Sequence, residues 1–292
     1  MLPRRPVLFV NPNSGDGRAM RAGLVDEARA RGIETNVLTP DVRLEDVVED
    51  AVANGADALG MAGGDGSLGV VATAALRHGL PFICVPSGTR NHFALDVGIP
   101  RHDPVAALDA FSDGVERSID VGDVNGRLFL NNVSIGIYGE AVQQPSYRDR
   151  KVQTLLATAG EVLNSSVAAP PLSVVDDEGR EHRNPAVLLV SNNPYALGGP
   201  GTPGTRLNLS SGQLGVIVID APGSAPSVPE HAWTATSLDV EAQETIHAGI
   251  DGEAVELTPP LHFEIKPAAL RVRLAPAAAS RRPLRSVPAP HR

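Results

Sequence analysis

The chain has few of the residues that staple or anchor a protein from outside its own core. One cysteine, Cys84, stands among 292 residues, so neither a disulfide nor a cysteine-ligated metal site can form within the chain. It sits in the apolar run Phe82 to Val85, where a buried, inert thiol is expected. Aromatic residues make up 3% against 42% hydrophobic residues, so the core must be built on Ala, Val and Leu. No apolar stretch approaches the roughly 20 residues that cross a bilayer. The run after Met1 to Pro6 stops at Val10, too short for the core of a signal peptide. A cytoplasmic protein is therefore expected, with contact at the inner face of a membrane left open.

Positive charge is also in short supply. With 25 basic against 34 acidic residues the net charge is −9, and electrostatics give no reason to expect nucleic acid as a partner. After Ile265 there is no acid at all, and Lys266, Arg271, Arg273, Arg281, Arg282, Arg285 and Arg292 make a basic end. Pro283, Pro288, Pro290 and the Ala277 to Ala279 run predict an irregular tail over residues 276–292, open to charge-driven docking on anionic lipid. Three catalytic signatures are absent: the Gly-Lys-Ser/Thr of a P-loop, G-x-G-x-x-G after the first strand, and histidines at H-E-x-x-H spacing. No internal repeat is found.

What is present begins with an alternation. Over residues 7 to about 121, short apolar runs (Val7 to Val10, Ile33 to Leu38, Ala58 to Ala62, Phe82 to Val85) alternate with helical patterns (Arg18 to Arg31, Leu44 to Ala53, Leu68 to Arg77). Apolar runs without period-two polarity, separated by helices, predict a parallel sheet covered on both faces. After about residue 117 the pattern changes to β-like runs: Arg117 to Val121, Arg127 to Ile137, Leu172 to Asp176, Ala186 to Val190, Leu214 to Ile219, Thr245 to Ile250 and Leu261 to Ile265. Val124-Asn125-Gly126-Arg127 and Asp176-Asp177-Glu178-Gly179 read as hairpin turns. Within this part only Lys151 to Leu163 reads as a helix, and Pro194 to Gly204 reads as a long loop. The expected organisation is an α/β domain over residues 1–122, an antiparallel β-rich substrate domain over 123–275, and the basic tail.

Three glycine-punctuated turns close the first, third and fourth strands: Asn11-Pro12-Asn13-Ser14-Gly15, Gly63-Gly64-Asp65-Gly66-Ser67, and Pro86-Ser87-Gly88-Thr89-Arg90-Asn91. Ligands of parallel sheets bind beyond the strands' carboxyl ends, and small residues opening a helix let amide N–H groups meet a phosphate. A carboxylate among phosphates needs a cation beside it, so Asp65 points to a Mg²⁺–nucleotide; a tight turn with Asp as cap is the alternative. Ser67 would cap the following helix or bind an anionic oxygen, and Arg18 would neutralise phosphate charge. In the β-rich half, Asp251-Gly252-Glu253 sets two carboxylates astride a glycine, either a general base for phosphoryl transfer or a hairpin turn with solvated acids. Asn131 to Gly136 and Ser191 to Pro194 place amides and hydroxyls at strand edges.

In order and spacing these four motifs, the third continuing into His92-Phe93-Ala94, resemble the diacylglycerol kinase catalytic-domain family of lipid kinases, over nearly the whole chain to about residue 275. The resemblance implies an N-terminal parallel-sheet domain like those of NAD kinases and phosphofructokinases, followed by a C-terminal antiparallel β-sandwich. It implies ATP and Mg²⁺ as cofactors and a lipid hydroxyl at a membrane surface as acceptor. Asn11, Asn13, Ser14, Thr39, Gly63, Gly64, Asp65, Gly66, Ser67, Gly88, Thr89 and Asn91 would then bind nucleotide, Asp65 would serve the metal, and Glu253 would take the proton with Asp251 beside it. Two departures stand out: His92 and Ser211 occupy places where the family usually has Asp, so the structural Mg²⁺ of some relatives is not carried over. An NAD kinase-like enzyme and a homologue without turnover are the alternatives. The lipid species and the oligomeric state, homodimer included, stay open.

Overall fold

The computed structural model describes residues 2–89, 91–136, 171–196, 206, 208–220, 231–281, 285 and 286. The expected helix over Lys151 to Leu163 lies outside these residues, as does most of the Pro194 to Gly204 loop. The chain divides into two compact units: one comprises 1–120, 208–210 and 268–292, the other 121–207 and 211–267.

The first unit is built on a parallel sheet in the order β2-β1-β3-β4, from Pro6–Val10 (β1), Glu34–Val37 (β2), Ala58–Gly63 (β3) and Phe82–Pro86 (β4). All positions of β1, β3 and β4 are buried, as strands covered on both faces require. The helix Asp65–Arg77 (α4) buries Leu68, Val71, Ala72 and Ala75, the i, i+3, i+4, i+7 stripe that faces a core. Three features differ from the sequence expectation. Arg18 to Arg31 is not one helix but two, Arg18–Arg21 (α1) and Leu24–Ala30 (α2), because Gly23 takes a left-handed φ of 62° between them. The helix after β3 begins at Asp65, three residues before the expected Leu68. The short helices His92–Asp96 (α5) and Asp109–Ser112 (α6) carry too few turns to leave a periodic signal.

The second unit is antiparallel. One sheet runs β12-β11-β10-β7-β14-β15, from His231–Ala235, Leu214–Ile219, Val187–Asn192, Asn132–Gly136, Ile246–Ile250 and Glu253–Leu257. The other brings together the first part of β16 (Leu261–Leu274), β13 (Ser237–Ala242), β8 (Leu172–Val175) and β9 (Glu181–Arg183). Val133 and Val190 of the first sheet and Val174, Val240 and Phe263 of the second belong to one buried cluster, so the unit is a β-sandwich. Val115–Val124 (β5) turns back into Arg127–Phe129 (β6) through Asn125 and Gly126, with φ of 49° and 82°, the two left-handed positions the Asn-Gly hairpin signal demands. The expected strand Arg127 to Ile137 is broken at Leu130-Asn131, and the reason lies in the site described below.

The C-terminal end departs most from expectation. β16 reaches Leu274 rather than Ile265, and Val272 pairs in parallel with Phe82 of β4. The strand leaves the second unit at Pro267; Ala268 then has a φ of 52°, and its N–H donates to the buried Asp120 carboxylate at 2.8 Å. Residues 268–275, expected with the β-rich half, therefore belong to the first unit. The stretch expected to be irregular from 276 opens with the turn of helix Pro276–Ala279 (α7), burying Ala278 and Ala279, and Arg285–Ser286 (β17) pairs with β5. Several of the basic groups counted for lipid docking are already neutralised by acids distant in sequence. Arg271 and Arg273 share Glu116 at 2.7 and 3.3 Å, and Lys266 meets Asp123 at 3.1 Å. Lone cysteine Cys84 is buried, which together with the nearby Asp65 charge pushes its thiol well above the ordinary range, so it is inert as expected.

Candidate functional site

In the first unit the three turns meet. Gly15, at φ 55°, lies so close to the third turn that a Cβ there would stand 2.4 Å from the Ser87 carbonyl oxygen. A Cβ on Gly88 would stand 2.6 Å from the Gly64 Cα and 3.2 Å from the Gly63 carbonyl oxygen. Backbone packs on backbone at both points, which only glycine allows. The Arg18 guanidinium donates to the Gly88 carbonyl at 3.0 Å and the Arg101 carbonyl at 3.3 Å, clasping the first helix to the third turn. Asn91, left-handed at φ 52°, closes the third turn on itself: its Oδ1 accepts the Gly88 N–H and its Nδ2 donates to the Gly88 carbonyl, both at 2.8 Å.

Asp65 does act as a cap, though not on its own helix. Its carboxylate accepts the N–H groups of His92 and Phe93, each at 3.3 Å, and so steadies the start of α5 while leading α4. Ser67 does not cap α4, because the helix starts before it; its hydroxyl donates to the Gly64 carbonyl at 3.1 Å. Leu68 makes the first backbone bond of that helix, to Gly64 at 3.0 Å, so the amides of Asp65, Gly66 and Ser67 have no carbonyl inside α4 to donate to. The Ser87 hydroxyl, fully buried beside them, has no hydrogen-bond partner among the described residues. Helix-opening amides with no partner in their own helix, with the Arg18 cation bound to the neighbouring turn, are the kinds of group an anionic phosphate chain uses.

Other sequence candidates lie as follows. The Asn11 side chain accepts the Asn13 N–H at 3.0 Å, while Asn13 itself is exposed. Thr39 and Thr89 are exposed. Thr39 borders a cavity of about 380 Å³ between β2 and the helix Leu44–Ala53 (α3), lined also by Arg5, Asn36, Asp50 and Asn54. None of the glycine turns lines this cavity, so the phosphate candidate is the turns and not this hollow.

In the second unit Asp251 is buried in the β14–β15 turn, and Glu253 is exposed at the start of β15. The Asp251 carboxylate accepts three consecutive backbone N–H groups, from Leu130 at 2.8 Å, Asn131 at 2.7 Å and Asn132 at 3.1 Å. Sequence reading did not single out the complementary group, Arg206. Fully buried, it donates to the carbonyls of Leu130 and Asn192 and to the Asn131 side chain. An acid holding the N–H groups and a base holding the carbonyls pin the 130–132 corner, and this is why the strand expected there breaks. A lone arginine inside a Gly/Pro-rich stretch was the available signal. Ser211, in the place of a family Asp, bonds through both N–H and hydroxyl to the Asn193 side chain at 2.8 and 2.5 Å.

Known proteins resemble the chain over most of its length. Residues 5–124 match the diacylglycerol kinase catalytic domain. A Pseudomonas aeruginosa protein named "Probable lipid kinase YegS-like" is 32% identical over 92% of this chain and 93% of its own. A Bacillus subtilis diacylglycerol kinase is 27% identical over 74% of each chain. A solved diacylglycerol kinase from Bacillus anthracis shares the fold with a TM-score of 0.67 at 18% identity, over 95% of this chain and 99% of that one.

Proposed function

Because the chain belongs to the diacylglycerol kinase catalytic-domain family, we propose that it is a lipid kinase that passes the γ-phosphoryl group of ATP to a hydroxyl of diacylglycerol or a related lipid. One observation carries the reading: three βα turns interlock through Gly15, Gly64 and Gly88 around amides of α4 that have no partner in their own helix. Asn11, Asn13, Ser14, Gly63 to Ser67, Gly88 and Asn91 would hold the phosphates, with Thr39 and Thr89 reaching the rest of the nucleotide. Mg²⁺, when bound near Asp65, would supply neutralisation of phosphate charge.

The reaction joins the lipid oxygen to the γ-phosphorus, breaks the bond to the β–γ bridging oxygen and releases ADP. Glu253, the exposed member of the acidic pair, takes the hydroxyl proton. Asp251 is unsuited to that task, since its oxygens already accept three amides; it fixes the turn that carries Glu253. Arg18, whose guanidinium clasps the Gly88 carbonyl, holds the third turn in place for the transferred group rather than reacting with it.

The test is γ-labelled ATP with a total lipid extract, run beside an arm containing NAD. Label in a lipid that disappears in Glu253→Gln, with nucleotide binding retained, is the expected result. Label in NAD, or binding without transfer to any acceptor, would refute the reading.

A further inference from the structure

A cluster of histidine and aspartate lies outside the phosphoryl-transfer residues, where the edge strands of the two sheets of the second unit, β9 and β12, come together. Asp176 and Asp177 occupy the β8–β9 turn, His182 is on β9, Asp220 follows β11, and His231 opens β12. The Nε2 of His231 lies 2.9 Å from Asp177 Oδ1 and 3.5 Å from Asp176 Oδ2, and these three atoms all fall within 4.8 Å of one another. One N–H cannot serve two carboxylates well, and three carboxylates crowd two imidazoles here.

The surrounding residues hold the three atoms in place. Asp176 Oδ1 accepts the amides of Glu178 at 2.9 Å and Arg180 at 2.8 Å, which leaves Oδ2 turned toward the histidines. His182 bonds that Oδ2 through Nε2 at 3.1 Å and is itself held by Asp220 at Nδ1, also at 3.1 Å. A carboxylate whose orientation is set by an imidazole, set in turn by a second carboxylate, is the outer layer that metal ligands commonly need. The buried Asp176 makes the floor of the site, and Asp177, with 53% of its side chain exposed, leaves an approach from solvent.

We propose that Asp176, Asp177 and His231 form a site for a borderline divalent cation, of which Zn²⁺ fits best, clamping together the edges of the two sheets. One imidazole nitrogen with two carboxylate oxygens suits zinc and its first-row neighbours rather than Mg²⁺ or Ca²⁺, which prefer all-oxygen sets, and water would complete a tetrahedron. The site is independent of the phosphoryl-transfer reading.

Trp233, the lone tryptophan, gives a direct readout, since its ring centroid lies 5.3 Å from that of His231 and 6.3 Å from that of His182. Tag-free full-length protein is titrated with ZnCl₂ in excess Mg²⁺ while Trp233 emission is followed, and Co²⁺ is added separately to read visible d–d absorption. Expected are a saturable one-to-one transition, a rise in Tm with Zn²⁺, and at least tenfold weaker binding in both Asp177→Asn and His231→Gln. Asp177 is exposed, so its variant should keep the wild-type circular dichroism and isolate the ligand effect. No saturable change, or equal binding by both variants and wild type, would overturn the proposal.

Discussion

Replacing Asp251 by Asn tests whether this acid is structural or a member of the proposed reacting pair. Asn accepts the left-handed φ of 49° at this position readily, so the backbone is not the source of any effect. It retains one oxygen for Asn131 and Asn132, but those two bonds lose their charge, and the other atom becomes an NH₂ facing the Leu130 N–H across 2.8 Å. Losing one charge-assisted bond, weakening two more and burying donor against donor together cost roughly 4 kcal/mol. Much of the folding free energy of a domain of this kind is at stake, since that total is only about 5–15 kcal/mol. Trp233, 8% exposed in the core of the same unit, reports unfolding there by its fluorescence. With an m-value of about 2 kcal/mol/M in urea, the midpoint should fall by roughly 2 M. A midpoint within about 0.5 M of wild type at unchanged m, combined with loss of turnover, would refute the structural role and return Asp251 to the reacting pair.

Gly88→Ala should push the second and third turns apart, because the new methyl meets backbone rather than a movable side chain; at least tenfold weaker nucleotide binding is expected by calorimetry, with about 1–3 kcal/mol of destabilisation. Asp65→Ala should abolish phosphoryl transfer in the labelled-ATP assay while circular dichroism stays native, and near-normal turnover would remove its metal role. Glu116→Gln removes the charge from the bonds to Arg273, 4% exposed, and to Arg271, so thermal unfolding should register a loss of about 1–3 kcal/mol. His262 is raised above the ordinary histidine range, first by its bond to Asp239 at 2.6 Å. A raised folded-state value means this contact stabilises fully below the unfolded pKa of about 6.5 and is lost as pH climbs through the folded one. An NMR titration of His262 should show the raise vanish in Asp239→Asn, and an unchanged midpoint would contradict the assignment.

The parallel-sheet half was legible because each of its signals is local. Apolar runs, helical spacing and glycine turns at strand ends can all be seen within a few residues of one another, and they put β1 to β4 and the three glycine turns close to where the structure has them. The Asn125-Gly126 hairpin was legible for the same reason. Where two adjacent signals compete, the reading slipped: Gly23 split a helix whose apolar positions looked continuous, and β13 and β15 were missed because their polar, half-exposed residues carry no apolar run.

The sequence by itself settled that the first half is a covered parallel sheet, that glycine-rich turns close its strands, and that Asp251 and Glu253 stand astride a glycine after a strand; that those glycines pack backbone on backbone came from the structure. Folding alone showed that Asp251 is buried on three amides while Glu253 is exposed, because residues 130–132 lie about 120 positions away in the chain. Distance in sequence likewise hid Arg206 under the same corner, Glu116 beside the C-terminal arginines, and the meeting of Asp176 and Asp177 with His231. Pairings of this kind are set by where whole sheets come to rest, and no short-range pattern of residue types encodes that.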